Sequence, residues 1–238
     1  MIWITGPLVG VMLSLCVQAC AQEVTLSARI KIIDTEHKAV SSHAENVVVW
    51  LTPIGARAPA ISFSKQPLRL TQHNKNFEPH VLVVPVGSAV QFPNRDPFFH
   101  NVFSLFEGKR FDLGLYEAGT TRNVSFDRPG ISYIFCNIHA EMSAVVIALD
   151  TPYFGISNQK GEIVIAHVPA GRYMIRTWYE TALMESLDAM AREISVNENS
   201  STLGVLEIPA GTAASAHKNK YGMDYEPPAP NSPAYERP

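Results

Sequence analysis

The chain has 238 residues, 46% of them apolar and 17% charged, with a formal net charge of -3. That length accommodates one or two ordinary domains, and the apolar share is too high for a chain without a packed core. With 19 Lys and Arg against 22 Asp and Glu, and no basic run longer than two, nothing points to nucleic acid, and three Cys exclude a scaffold of many disulfides.

Residues 2–17 are mostly apolar and carry no ionisable side chain, and Ala19-Cys20-Ala21 followed by Gln22-Glu23 forms a small-x-small cleavage pattern. This predicts a secretory signal over residues 1–21, cut after Ala21, and hence a periplasmic or secreted protein with no span in the mature chain. The stretch is short against the roughly 20 residues of a membrane helix. A retained N-terminal anchor and an acylated Cys20 are the alternatives: no Lys or Arg precedes the apolar run, and Gln18 stands in the lipid-attachment position pattern. Cleavage removes Cys16 and Cys20 and leaves Cys136 with no internal disulfide partner. A lone thiol in an oxidising compartment survives when it is deeply buried or held by a metal.

Along the remaining chain, residues 24–32 (VTLSARIKI) alternate apolar and polar as a half-buried strand does, residues 34–38 form a polar turn, and residues 47–51 (VVVWL) are a short β-rich run ending near Pro53. Further β-rich runs cover 81–86, 89–92, 122–126, 133–135 and 144–149, punctuated by Gly87, Pro93-Asn94, Pro129-Gly130 and Asp150-Thr151-Pro152. After these come 161–166, 173–178, 192–196 and 203–208. Many short strands at this spacing predict an all-β protein made of sandwiches. Residues 182–191 are the one helical candidate and fit a long loop equally well. From Pro209 the chain turns rich in Ala, Pro, Asn and Ser, which predicts a tail that is disordered or draped over the surface; Tyr221, Tyr225 and Tyr235 are solvated there or dock on the body or on a partner.

Four residues suit a single metal: His100, Cys136, His139 and Met142. Cys136 to Met142 reads C-x2-H-x2-M on a loop between two predicted strands, with His100 supplied from a distant strand end. Two imidazoles and a thiolate with a weak axial thioether are the ligand set of a blue-copper electron-transfer site. The thiolate and thioether suit Cu(I) and the imidazoles tolerate Cu(II), so a ligand set fixed between the two preferences rearranges little when an electron moves. The competing reading makes Cys136 a small core residue and Met142 filler beside a strand. His80, between apolar residues, reads as a partnered structural histidine, and His73 as a loop residue. Phe98, Phe99, Phe103 and Phe135 read first as core or cover. The sequons at Asn123 and Asn199 carry little meaning in a strand and a polar loop.

Residues 77–149 resemble the cupredoxin family, amicyanin especially. The likeness rests on PHVLVVPVG (79–87), VQFPN (90–94), FHNV (99–102), VSFDRPG (124–130) and the short loop from Cys136 to Met142. The resemblance implies a Greek-key sandwich over residues 65–150, one type 1 copper ion on His100, Cys136, His139 and Met142, and a role for Asn101 in tying the two ligand loops together. It also implies transient redox partners, such as a c-type cytochrome or a dehydrogenase, meeting the surface near His139 with Ile138 and Ala140 as an apolar rim. One departure is Ser132, where the family has Tyr four residues before the Cys.

Residues 24–53 resemble the opening of a carboxypeptidase regulatory-like, transthyretin-like sandwich, whose later pieces follow only beyond the central block, in SNQKGEI (157–163) and VPAGRY (168–173). The expected layout is therefore a first part over 22–60, the cupredoxin over 65–150, a second part over 151–208 and the tail over 209–238. No Ser-His-Asp, H-E-x-x-H or phosphate-loop pattern marks an enzyme. The expected function is single-electron carriage. The alternatives are a copper carrier or sensor without electron relay, and an envelope adaptor or carbohydrate-binding-like module with a vestigial metal site.

Overall fold

A computed structural model describes residues 22–34, 36–40, 44–55, 58, 67–105, 108–211 and 217–225; the predicted leader and Tyr235 lie outside them. Among the described residues the chain forms seventeen strands and one short helix.

The first strand, β1 (Glu23–Ile33), follows from its alternation. Leu26, Ala28, Ile30 and Ile32 point into a core, while Arg29 and Lys31 face outward. Those two bases stand opposite Glu162 and Glu207 on the neighbouring strands and pair with them at 3.4 Å and 3.0 Å. β2 (Val48–Pro53) carries the apolar run. The chain then makes the short strands β3 (Leu68–Arg69), β4 (Thr71–His73) and β5 (Asn76–Glu78), followed by β6 (Val81–Pro85), β7 (Ser88–Pro93), β8 (His100–Ser104), β9 (Phe111–Tyr116), β10 (Thr121–Phe126), β11 (Gly130–Cys136) and β12 (Ser143–Leu149). β13 (Phe154–Ile156), β14 (Glu162–Pro169), β15 (Gly171–Trp178), α1 (Met184–Ala189), β16 (Arg192–Val196) and β17 (Thr202–Pro209) complete the order. The helical candidate over 182–191 is thus a helix, of six residues. His73 ends a strand of the β4–β5 hairpin instead of lying in a loop. β8 and β9, which the sequence pattern did not mark, are strands because sheet neighbours satisfy their backbone groups.

Besides the two-stranded β4–β5 sheet, the central strands make two sheets, ordered β6-β12-β11-β8-β9 and β10-β7-β3, which share one apolar core around Phe92, Phe126, Ile134, Val146 and Met142. The outer strands pair with one another across the whole central block: β14-β1-β17 form one sheet and β13-β2-β15-β16 the other. The chain leaves the outer sheets after β2 and returns beside it. The Leu51 amide donates to the Tyr153 carbonyl at 2.8 Å, and Thr151 Oγ1 donates to the Leu51 carbonyl at 2.7 Å.

The uninterrupted apolar run of β12 has a structural cause. Ala144, Val146 and Ala148 face the central core, whereas Val145, Ile147 and Leu149 join Val81 and Val83 in the core of the outer sheets. A strand covered on both faces reads as a continuous run, not as an alternation. At the core of the outer sheets, Trp178 Nε1 donates to the Tyr133 hydroxyl at 3.4 Å, and beside it His80 Nε2 meets Glu180 Oε2 at 2.6 Å. His80 is therefore the partnered structural histidine expected of it. Ser132 is buried where the resemblance would place Tyr, and residue 108 explains the small side chain: a Cβ on Gly108 would sit 2.6 Å from Ser132 Oγ and 2.3 Å from the Ile131 carbonyl oxygen.

Of the two readings of the tail, draping describes residues 217–225, which lie against the end of β11. Tyr225 docks on the body, whereas Tyr221 is 69% exposed.

Candidate metal centre

The loop from Cys136 to Met142 leaves β11 and enters β12, which pair antiparallel up to Phe135 and Ser143. Two backbone bonds close it into a compact turn. The Cys136 amide donates to the Met142 carbonyl at 3.1 Å, and the Met142 amide donates to the His139 carbonyl at 3.1 Å. The turn folds Cys136, His139 and Met142 back toward one end of the central core. β8 pairs with β11, Cys136 lying opposite Val102, so His100 at the start of β8 arrives beside the same loop.

The three sequence-predicted donors His100, Cys136 and His139 converge. Cys136 Sγ is 3.6 Å from His100 Nδ1 and 3.5 Å from His139 Nδ1, and one donor atom from each of the three lies within 4.8 Å of the others. Cys136, His100 and Met142 are wholly buried, and His139 is half-buried. Met142 packs in the same apolar cluster as Cys136. Phe98 covers both imidazoles, its ring 5.3 Å from that of His100 and 5.6 Å from that of His139. Phe103 is core, as expected, while Phe99 is 51% exposed and so belongs to the surface.

Asn101 bridges the two ligand segments through its backbone: its carbonyl accepts the Asn137 amide at 2.8 Å. Its side chain donates to Asp112 Oδ1 at 2.7 Å.

Asp96 is the site residue that the sequence reading missed. Its Oδ2 lies 2.8 Å from His100 Nε2, and the carboxylate also accepts the amides of Asn74 and Lys75 at 2.6 Å and 3.0 Å. Those amides belong to the β4–β5 turn, where Asn74 and Lys75 both take positive φ, 53° and 57°. A turn of that shape exposes two N–H groups in a row, and Asp96 gathers them. The signal was present as an acid four residues before His100 in an Asn-Arg-Asp-Pro turn.

Charge and burial leave these donors in complementary states. Burial pushes the His100 imidazole below its ordinary range despite the neighbouring Asp96 carboxylate. His139 is pushed down to about 4 by burial, with His100 and Lys75 acting in the same direction. Both rings are neutral near pH 7. His100 spends its one N–H on Asp96, which leaves the Nδ1 lone pair aimed at the sulfur. Burial of Asp96 would raise its carboxyl, but the Lys75 and Asn74 amides and the His100 ring together hold it below the usual carboxylate range. Burial pushes the Cys136 thiol up, so the sulfur keeps its proton until a cation displaces it. Two imidazole nitrogens and a thiol converging in a buried, phenylalanine-capped pocket fit a soft or borderline transition metal, copper included, and suit no hard oxygen-loving cation.

No family model matches the chain, and no curated protein sequence matches it. Among solved structures, part of the chain is similar to a copper-containing nitrite reductase from Thermus scotoductus SA-01, at 23% identity and a TM-score of 0.34, over 41% of this chain and 25% of that one. The chain thus spans about a quarter of that reductase. It is also similar to a purple cupredoxin from Nitrosopumilus maritimus, at 23% identity and a TM-score of 0.31, over 34% of this chain and 96% of that one. A third likeness is to a mutant amicyanin in its reduced state, at 19% identity and a TM-score of 0.33, over 42% of this chain and 99% of that one.

Proposed function

We propose that the protein is an exported one-electron carrier holding a single type 1 copper ion on His100, Cys136 and His139, with Met142 as a weak axial donor. One observation carries the reading: His100 Nδ1 and His139 Nδ1 lie 3.6 Å and 3.5 Å from Cys136 Sγ, at a buried point assembled from two separate strands and a closed loop. The copper would supply the one-electron couple; the chain supplies everything that makes the couple fast. Asp96 fixes the His100 ring, the closed turn fixes Cys136, His139 and Met142, and Phe98 keeps water from the imidazoles. A donor set held this firmly rearranges little between the oxidation states. His139 is the half-buried ligand, with Ala140 exposed beside it, so the electron would leave through its ring toward a small, transient contact with a redox protein. Carriage rather than catalysis is supported by Phe98 packing against both imidazoles and by the apolar cluster that Met142 and Cys136 share.

The second proposal concerns the layout. The outer sheets, built from β1, β2 and β13 to β17, form one regulatory-like sandwich into which the copper-binding block is inserted. Adjacent exit and entry points at Leu51 and Tyr153 support it, since insertion requires chain ends that lie together. Native-state hydrogen exchange checks this: β1 is expected to exchange in the same cooperative unit as β14 and β17. Protection of β1 that tracks β12 instead would refute the insertion.

The function is tested by adding copper to the purified protein. An intense visible colour that bleaches reversibly on reduction is expected, and Cys136→Ser should abolish it, because the colour comes from the sulfur–Cu(II) bond, which a hydroxyl cannot replace. A colourless Cu(II) form would favour Cu(I) delivery or sensing. No copper uptake would leave an adaptor.

A further inference from the structure

The last described stretch of the chain, residues 217–225, touches the ligand loop from 89 positions away in sequence. Tyr225 donates its hydroxyl proton to the Cys136 carbonyl at 2.6 Å; a carbonyl only accepts, so the phenol is the donor. His217 Nδ1 lies 3.2 Å from the same phenol oxygen, and its ring stacks on Phe135, the residue before Cys136, at 4.1 Å between centroids and 27° between planes. The Lys220 amide donates to Asn137 Oδ1 at 2.9 Å, on the residue after Cys136. The segment thus grips positions 135, 136 and 137 in turn.

It also grips the strand pair that carries the other imidazole. Lys220 Nζ pairs with Asp112 Oδ2 at 2.8 Å, the other oxygen of Asp112 accepts Asn101 Nδ2, and the Asn101 carbonyl accepts the Asn137 amide. A closed circuit of polar contacts therefore runs from the tail through β9 and β8 to the Cys136 loop. The segment is itself preformed: Asn219 Oδ1 accepts the amides of Tyr221 and Met223, and Gly222 takes the left-handed φ of +77° that this tight turn requires.

From this arrangement we infer that residues 217–225 are a working part of the metal centre, with Tyr225 as the positioning residue for Cys136. The phenol fixes the Cys136 peptide, and with it the direction of the sulfur, while the segment clips the Cys136 loop to the His100 strand. It holds the thiol closed against reagents when no metal is bound, and holds the thiolate in place when copper is. The second half of this inference rests on the function proposed above; the first does not.

The test uses the full chain with Tyr225→Phe, which removes only the hydroxyl, with His217→Ala as a second variant and Met223→Leu, at a side chain 58% exposed, as a control on the same segment. In the metal-free protein, the rate at which an aromatic disulfide modifies the thiol is followed at Cys136 by peptide mass analysis. Tyr225→Phe should raise it about fivefold, the change that one ordinary hydrogen bond makes in an opening equilibrium, and His217→Ala should raise it by at least as much. In the copper-loaded protein, the sulfur-to-copper absorption band and the midpoint potential should shift in both variants and stay fixed in Met223→Leu. Wild-type labelling rates and an unmoved band in Tyr225→Phe, even with a lowered Tm, would overturn the inference and leave Tyr225 a merely structural contact. A wild-type copper form without intense colour would instead overturn the proposed function, while the metal-free labelling would still decide whether the segment guards Cys136.

Discussion

Asp96 shows how one side chain can set the chemistry of another. By accepting the His100 N–H it selects the tautomer whose free lone pair faces Cys136, and by accepting two turn amides it is itself held still. Partners of this kind typically matter 10–100-fold to metal affinity. Asp96→Asn is accordingly expected to weaken copper binding by about that factor without displacing Cys136 or His139 from the site. Competition against a chelator of known affinity measures it, and an unchanged affinity would remove Asp96 from the centre.

At the scale of elements, β12 carries the most weight. Its side chains alternate between two cores, so each face of the strand has its own packing partners. Ile147, only 1% exposed on the face turned to the outer sheets, is expected to cost about 2–5 kcal/mol when changed to Ala, the usual range for emptying a close-packed site. Denaturant unfolding measures the loss. Because Ile147 faces away from the copper-side core, the visible spectrum of the folded, copper-loaded variant should be unchanged. A spectral shift would mean that the two faces are mechanically coupled through the strand. The ligand loop next to β12 is short and closed by its own backbone bonds, which is why a spacing of two residues suffices to bring Cys136 and His139 together.

For the molecule as a whole, β12 stands between the central core and the core of the outer sheets, and the His80–Glu180 pair lies beside the start of β6, the strand that pairs with it. The Glu180 carboxylate, chiefly through its hydrogen bond, raises His80 above its ordinary 6.5, with burial opposing. A group raised in the folded state stabilises the fold fully below its unfolded pKa and loses that contribution as pH rises through the folded value. The wild type is therefore expected to exceed His80→Gln in Tm by more near about pH 5.5 than near about pH 9. Equal differences at both pH values would show that the pair contributes no linkage. His80 is 39% exposed in its side chain, so solvent screens the pair and the difference should be small.

The strand-rich character was legible in the sequence alone, and so were the candidate donors, of which the fold brings His100, Cys136 and His139 to one point. A Cys, a His and a Met at fixed spacing declare their chemistry without a fold, and alternation such as that of β1 is a local property of the chain. The sequence also pointed to the separated halves of the outer sandwich, through turn and strand fragments on either side of the central block. That Asp96 orients His100, that β12 is covered on both faces, and that Tyr225 and His217 reach the Cys136 loop emerge from the folded chain alone. Those facts depend on which distant segments meet, and no local periodicity encodes a contact between residues 136 and 225. The composition of the tail reads as loose chain because it offers little apolar surface, yet residues 217–225 are held by hydrogen bonds and a ring stack that the rest of the molecule offers.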